Sequence, residues 1–365
     1  MHGMCFGNRQ VPANDTDRYV KGWNIEKMKF EKSNNNLLSK YRGAFMGISI
    51  LLIILFHFTE DCQTYEVHYT GSVRWFRTYI GSSSVDVFLF LSGMGLYYSM
   101  KKEPDVGIFY RKRLTRLLIP YVIVALPSWI ILDVFFEKGG MWAVVKDFTF
   151  ISFFGAGKRW YWYIGLMLFC YLIYPYVFQI VDSARDAIDG EIRLISLVSA
   201  ITVMALVIEL YEKEIFSNVN IALLRLPIFL AGCFYGRSSY EGRSSYWKWG
   251  VIFIVSTGLL TLLPTDSPIY GRYVSGLFNV SVCAGIAWVF SRVTLKPLLK
   301  VLEWFGAHTL ELYLVHVTLR KFMKRLGYPT CYIRNELVMV ACSIVVAWLL
   351  QILVRRRDVS LATMP

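Results

Sequence analysis

The chain has 365 residues, of which 55% are hydrophobic and only 18% charged, with a mean hydropathy of +0.44. A soluble domain carries about 25% charge. Too few charged groups are present here to cover a water-facing surface, which excludes a soluble enzyme, a disordered chain and a secreted disulfide scaffold. The net charge of +13, from 39 Lys and Arg against 26 Asp and Glu, therefore reads first as membrane topology and not as nucleic-acid binding.

Residues 1–42 form a polar leader carrying Arg9, Arg18, Lys21, Lys27 and Lys29. The leader lacks the apolar run of a cleavable signal peptide, so the first spanning helix is expected to serve as its own insertion signal. A helix needs roughly 20 mostly apolar residues to cross the hydrocarbon core. Ten segments qualify, at about 43–59, 84–100, 117–136, 160–181, 193–210, 221–236, 247–264, 274–291, 303–320 and 336–354. Each is expected to be helical, because the bilayer offers no water to satisfy a bare backbone. The runs are continuous and not alternating, which excludes a β-barrel. The expected class is an all-α integral membrane protein with about ten helices. It divides into the leader 1–42, a membrane domain 43–354 and a short tail 355–365.

The loops orient it. With the N-terminus inside, inner segments hold 25 Lys and Arg and outer ones 13, and Arg225 inside the sixth helix completes the total. That bias places both termini in the cytoplasm. The last outer segment runs against it: Arg320, Lys321, Lys324 and Arg325 share a helical face. This face is either solvated among lipid headgroups or a patch that holds an anionic group. Cys62 and Cys331 both fall outside, where a disulfide is open to them, and no C-x-x-C or His/Cys cluster suggests a metal.

Ionisable residues within a membrane are costly, and each is a functional candidate. His57 ends the first helix. It is either an interfacial histidine or a group that takes a proton or an acyl group near neutral pH. Asp86 opens the second helix, where a carboxylate suits the helix dipole, and it is also placed to orient His57. Gly93 and Gly95 allow close helix approach. The inner run Arg111-Lys112-Arg113-Leu114-Thr115-Arg116 obeys the positive-inside rule and would equally suit a ligand with several phosphates. The ninth segment carries Glu303, His308, Glu311 and His316, so it must face protein or a wet cavity.

Four stretches together point to a family. They are Leu55-Phe56-His57, Val85-Asp86-Val87-Phe88-Leu89-Phe90-Leu91-Ser92-Gly93, the basic Arg111-Lys112-Arg113 with Arg116 and Pro120, and Leu312-Tyr313-Leu314-Val315-His316. In this order they resemble acyltransferase family 3, the polytopic membrane O-acyltransferases, over about residues 43–354. Trp160-Tyr161-Trp162-Tyr163, leading to Tyr171 and Pro175, adds to the likeness. The resemblance implies acyl-CoA, usually acetyl-CoA, as donor, and a hydroxyl of a cell-envelope or lipid-linked glycan as acceptor. It also implies a multi-pass place in the cell's inner membrane, with no metal and no nucleic-acid partner. By resemblance His57 is the base or transient acyl carrier and Asp86 fixes its tautomer. Arg111, Arg113 and Arg116 hold the CoA phosphates, while Ser92, Glu311 and His316 support the acceptor side.

One position departs from the family pattern. Eleven residues before His57, where the family has Arg or Lys, stands Met46. Arg42 lies one turn earlier, but helical side chains lean toward the N-terminus, so it points away from His57. Arg225, or a cation of the basic loop, is then expected in that role. Two other classes fit ten helices with buried charge: a transporter or glycolipid flippase, and an inactive relative acting as a sensor. A requirement for acyl-CoA separates them. Acylation of an amine or a protein would remain within the transferase class.

Overall fold

The computed structural model describes residues 36–67, Gly71, 84–263, 267–293 and 295–362, with side chains to Val354. Most of the polar leader, including Cys5, lies outside the described residues. Every regular element among the described residues is a helix. The short α1 (Leu37–Lys40) leads into α2 (Arg42–Thr64), followed by α3 (Ser84–Lys102) and α4 (Val106–Trp129). Pro120 and Pro127 lie inside α4, which continues as a wider π-helical turn over Ile130–Phe136. Each proline removes a backbone donor from the helix. Two short helices, α5 (Gly140–Phe148) and α6 (Ile151–Ala156), precede α7 (Trp162–Asp182) and α8 (Ala187–Tyr211). The chain continues through α9 (Lys213–Leu223), α10 (Leu226–Tyr240), α11 (Tyr246–Leu262), α12 (Pro268–Arg292), α13 (Lys296–Ala307), α14 (Thr309–Arg325) and α15 (Ile333–Ala362).

Among the described residues, seven stretches are long and apolar enough to cross a membrane: Arg42–Thr64, Val106–Phe136, Trp162–Asp182, Ala187–Tyr211, Lys213–Tyr240, Pro268–Arg292 and Ile333–Val354. Three of the ten expected segments do not meet that measure. The helix α3 spends its ends on Asp86, Lys101 and Lys102, and α11 has only 17 residues. The ninth segment is not one helix. It breaks at His308, whose backbone leaves the helical region (φ −110°, ψ 15°) and separates α13 from α14. The His308 ring lies stacked on Trp304 at 4.1 Å, with its Nδ1 on the Trp304 carbonyl at 2.7 Å. A local side-chain bond of this kind competes with the helical backbone pattern.

The helix α3 falls short of that measure and yet is deeply enclosed. Val85 through Leu91 of α3 are all buried, with α2, α10 and α12 packed around them. Glycines make this closeness feasible, because helix association in a membrane depends on van der Waals contact between approaching backbones. A Cβ on Gly232 of α10 would strike the Phe90 carbonyl of α3, and one on Gly93 would strike the Phe229 carbonyl. Between α2 and α13 the same relation joins Gly47 to Leu302 and Gly306 to Gly43. Overpacking a tight contact costs about 1–3 kcal/mol. Gly232→Leu should therefore lower the thermal unfolding midpoint in detergent, and an unchanged midpoint would remove this account of the α3–α10 contact.

Candidate active site

Two histidines, 259 positions apart in the chain, meet between α2 and α14. His57 Nδ1 lies 2.8 Å from His316 Nε2, with the rings roughly parallel, 5.0 Å between centroids and 28° between planes. His316 is completely buried and its Nδ1 sits 2.9 Å from the Leu312 carbonyl. A carbonyl can only accept, so His316 Nδ1 carries the proton and its Nε2 is the acceptor. His57 must then donate from Nδ1. In the neutral pair, the one nitrogen left with a free lone pair is His57 Nε2. That is the arrangement of an oriented general base, with His316 holding the tautomer.

A cavity of about 140 Å³ lies inside the bundle between α2, α3, α4, α7 and α14, lined up to one turn short of this pair and not by the two histidines themselves. One end is basic, formed by Arg42, Arg113 and Arg116. The other is apolar and includes Ile53, one turn before His57, and Tyr313, one turn before His316. Arg42 to Ile53 is about 16 Å of helix rise. Ser92 lines the cavity. The Arg42 guanidinium fills the space opened by Gly95, where a Cβ would lie 2.5 Å from it. Gly95 thus serves a side chain, and Gly93 serves the helix contact.

The structure sorts the expected residues. Arg113 and Arg116 are brought together, and Arg42 joins them, although its sequence position argued only against reaching His57. Arg111 is exposed on α4 and does not line the cavity. The Asp86 carboxylate is bonded to Arg225 (Oδ1 to Nε, 3.0 Å). Both expectations for these two residues are corrected by that pair: His316, not Asp86, holds the His57 imidazole, and Arg225 lies with Asp86 and over the Trp162 ring at 5.0 Å. A buried guanidinium and a buried carboxylate each need the other to offset desolvation, which is why they find one another. Glu311 is buried on α14 outside the cavity lining.

The basic run at the end of α14 is neither a wholly solvated face nor an open patch for an anionic group, because acids of the chain itself take up its cations. Arg320 pairs with Asp61 and with Glu60 (2.7 Å), Lys324 pairs with Asp61, and Arg325 pairs with Glu137. Lys321 sits 4.2 Å over the Trp160 ring. Lys158 continues the network to Asp147 (2.6 Å), Glu137 (3.3 Å) and Asp133 (3.7 Å). Burial alone would lower the Lys158 pKa, but the hydrogen bond and charge of Asp147 raise it. Sequence reading missed these partners because the acids sit on other elements: Glu60 and Asp61 on α2, Asp133 and Glu137 in and just after the π-helical turn, and Asp147 on α5. Cys62 and Cys331 also meet in this region, with the Cys62 Sγ 3.7 Å from the Cys331 carbonyl, and both are free thiols in this structure.

No curated relative and no solved structure matches the chain. A family model described as an acyltransferase domain matches residues 46–354, from the turn after Arg42 to the end of the last apolar run. With its apolar helices, this multi-pass membrane protein belongs to acyltransferase family 3.

Proposed function

We propose that the protein is a membrane O-acyltransferase. It moves an acyl group, with acetyl as the expected one, from CoA to a hydroxyl of a cell-envelope or lipid-linked polysaccharide. The observation that carries this reading is the cavity with a basic end at Arg42, Arg113 and Arg116 and an apolar end one turn from the His57–His316 pair. Guanidinium forks suit phosphate oxygens, and the narrow apolar stretch suits the pantetheine arm. The chain crosses the cell's inner membrane ten times with both termini in the cytoplasm, following the excess of inner Lys and Arg. The basic end then faces the cytoplasm, where CoA is found.

The chemistry asks little beyond positioning and one base, because a thioester is already activated. His57 Nε2 takes the acceptor's hydroxyl proton as its oxygen attacks the thioester carbonyl. The tetrahedral intermediate collapses, the C–S bond breaks, and the leaving CoA thiolate takes that proton back from His57 Nε2 and departs as the thiol, which returns His57 to its neutral form. His316 accepts the His57 Nδ1–H throughout, so the imidazolium does not turn away between the two transfers. A variant path has His57 carry the acyl group itself for one step.

The test is mass spectrometry of envelope glycans from cells with and without the protein, paired with acyl-CoA binding to the purified protein. A gain of one acyl mass, together with CoA binding weakened in Arg113→Ala, is the expected result. Protein that binds no acyl-CoA yet moves glycolipid across vesicles would make it a flippase instead.

A further inference from the structure

Two thiols meet at the end of the bundle that holds the Asp61–Arg320 pair. Cys62 is on the last turn of α2, five residues after His57, and Cys331 is in the connection between α14 and α15. The Cys62 Sγ lies 3.7 Å from the Cys331 carbonyl oxygen. The residues just before them meet as well, the Thr330 hydroxyl donating to the Asp61 carboxylate. Consecutive residues of one segment thus touch consecutive residues of the other, so the chain at 330–331 lies along the end of α2. The Asn335 side chain, donating to the Pro329 carbonyl at 2.9 Å, holds that turn in place. A disulfide asks for Cα atoms within about 7 Å, and contact in register at two successive positions brings the backbones to that scale.

The surroundings set this pair apart from other cysteines. Cys170, Cys233 and Cys283 sit well inside apolar spanning stretches, where a small buried thiol is a packing residue. Cys62 is two residues from the end of its stretch and follows Asp61, which carries Arg320 and Lys324. Both Cys62 and Cys331 are nonetheless buried, at 3% and 0% exposed. Exchange with an oxidant therefore belongs to the moment when this end of the bundle closes, and burial then keeps reductants away from the bond.

We propose that Cys62 and Cys331 are oxidised to a disulfide in the mature protein, by exchange with a protein disulfide on the extracytoplasmic side. The inference rests on the topology proposed above, which puts both thiols on that side, where disulfides form and persist. One cysteine thiolate attacks the carrier's disulfide and displaces a carrier thiolate. The other then attacks the mixed disulfide at the first cysteine's sulfur and displaces the second carrier thiolate. The two cysteines give up two protons and two electrons, and the carrier's disulfide becomes two thiols. The bond joins residues 269 positions apart. It adds a covalent rung beyond the Asp61–Arg320 and His57–His316 pairs.

Thiol trapping on the full chain tests this. Cells are treated with N-ethylmaleimide, and the protein is purified, denatured in more of the same reagent and digested without reductant for mass spectrometry. The expected result is a peptide pair joined through Cys62 and Cys331 that separates on reduction, with Cys170, Cys233 and Cys283 alkylated. Cys62→Ser should leave Cys331 alkylated. Cys62→Ser and Cys331→Ser should each lower the unfolding midpoint by about 5 °C. The double variant should fall no further than either single one, because the same bond is lost in all three. Wild type from cells with both Cys62 and Cys331 alkylated would overturn the proposal, and so would midpoint shifts that simply add in the double variant. Oxidised glutathione added to purified, unalkylated wild type then shows which premise failed. Closure of the bond there would fault the topology, and no closure would fault the contact.

Discussion

His57→Ala should abolish acyl transfer while leaving the protein inserted and folded. Loss of a positioned general base costs typically about 10²- to 10⁴-fold in rate, and the fall should appear in kcat with little change in KM for acyl-CoA, because His57 is not part of the basic end of the cavity. The histidine pair makes a second, sharper expectation. His316→Ala removes the acceptor that fixes the His57 tautomer and should also lower kcat, but by less, since the base itself remains. His316→Gln restores an acceptor oxygen near His57 Nδ1 and should recover part of the loss. Acyl transfer assayed with labelled acetyl-CoA and a glycan acceptor distinguishes these cases. Near-normal turnover in His57→Ala would sink the assignment of the base. Equal loss in His316→Ala and His316→Gln would reduce His316 to a packing residue.

Much of this arrangement was visible in one dimension. Apolar runs located the helices, because a membrane segment must satisfy its own backbone whatever its neighbours do. The titratable residues inside those runs were flagged for their cost, and that flag found His57, Asp86, Arg225 and His316. What the chain order could not show was who meets whom. The His57–His316 contact joins residues 259 positions apart, and helix periodicity has nothing to say about partners on different helices. Asp86 appeared suited to His57 because adjacent helices end on one side. The structure gives it Arg225 instead, a stronger demand, since an unpaired buried guanidinium is far costlier than an imidazole with another acceptor. Arg42 shows the limit of rotation arguments. Its lean away from His57 was legible, but the room made for it by Gly95, which lets it complete the basic end, depended on α3. The break at His308 was hidden as well, because hydropathy across 303–320 does not register a single residue leaving the helix.

Asp61→Ala should be the most destabilising single change at this end of the bundle. Asp61 is completely buried and receives Arg320 Nε at 2.9 Å, a second Arg320 contact, Lys324 and the Thr330 hydroxyl. Removing one member of a buried ion pair leaves the other charge uncompensated, at a cost of about 3–5 kcal/mol. The consequence extends to the site because of spacing. Asp61 lies four residues after His57 on α2, and Arg320 lies four residues after His316 on α14. Residues four apart share a helix face, so the ion pair and the histidine pair are successive rungs between the same two helices. Loss of the outer rung should loosen the inner one, lowering both the unfolding midpoint and the kcat of the protein that remains folded. Asp61→Ala combined with Arg320→Ala should be less damaging than the two single effects added together, since the stranded cation is gone as well. Thermal scanning and the transfer assay on the three variants check this together. Strict additivity in stability, or wild-type kcat in folded Asp61→Ala, would show that the two rungs are independent and that His57 is held by its histidine partner alone.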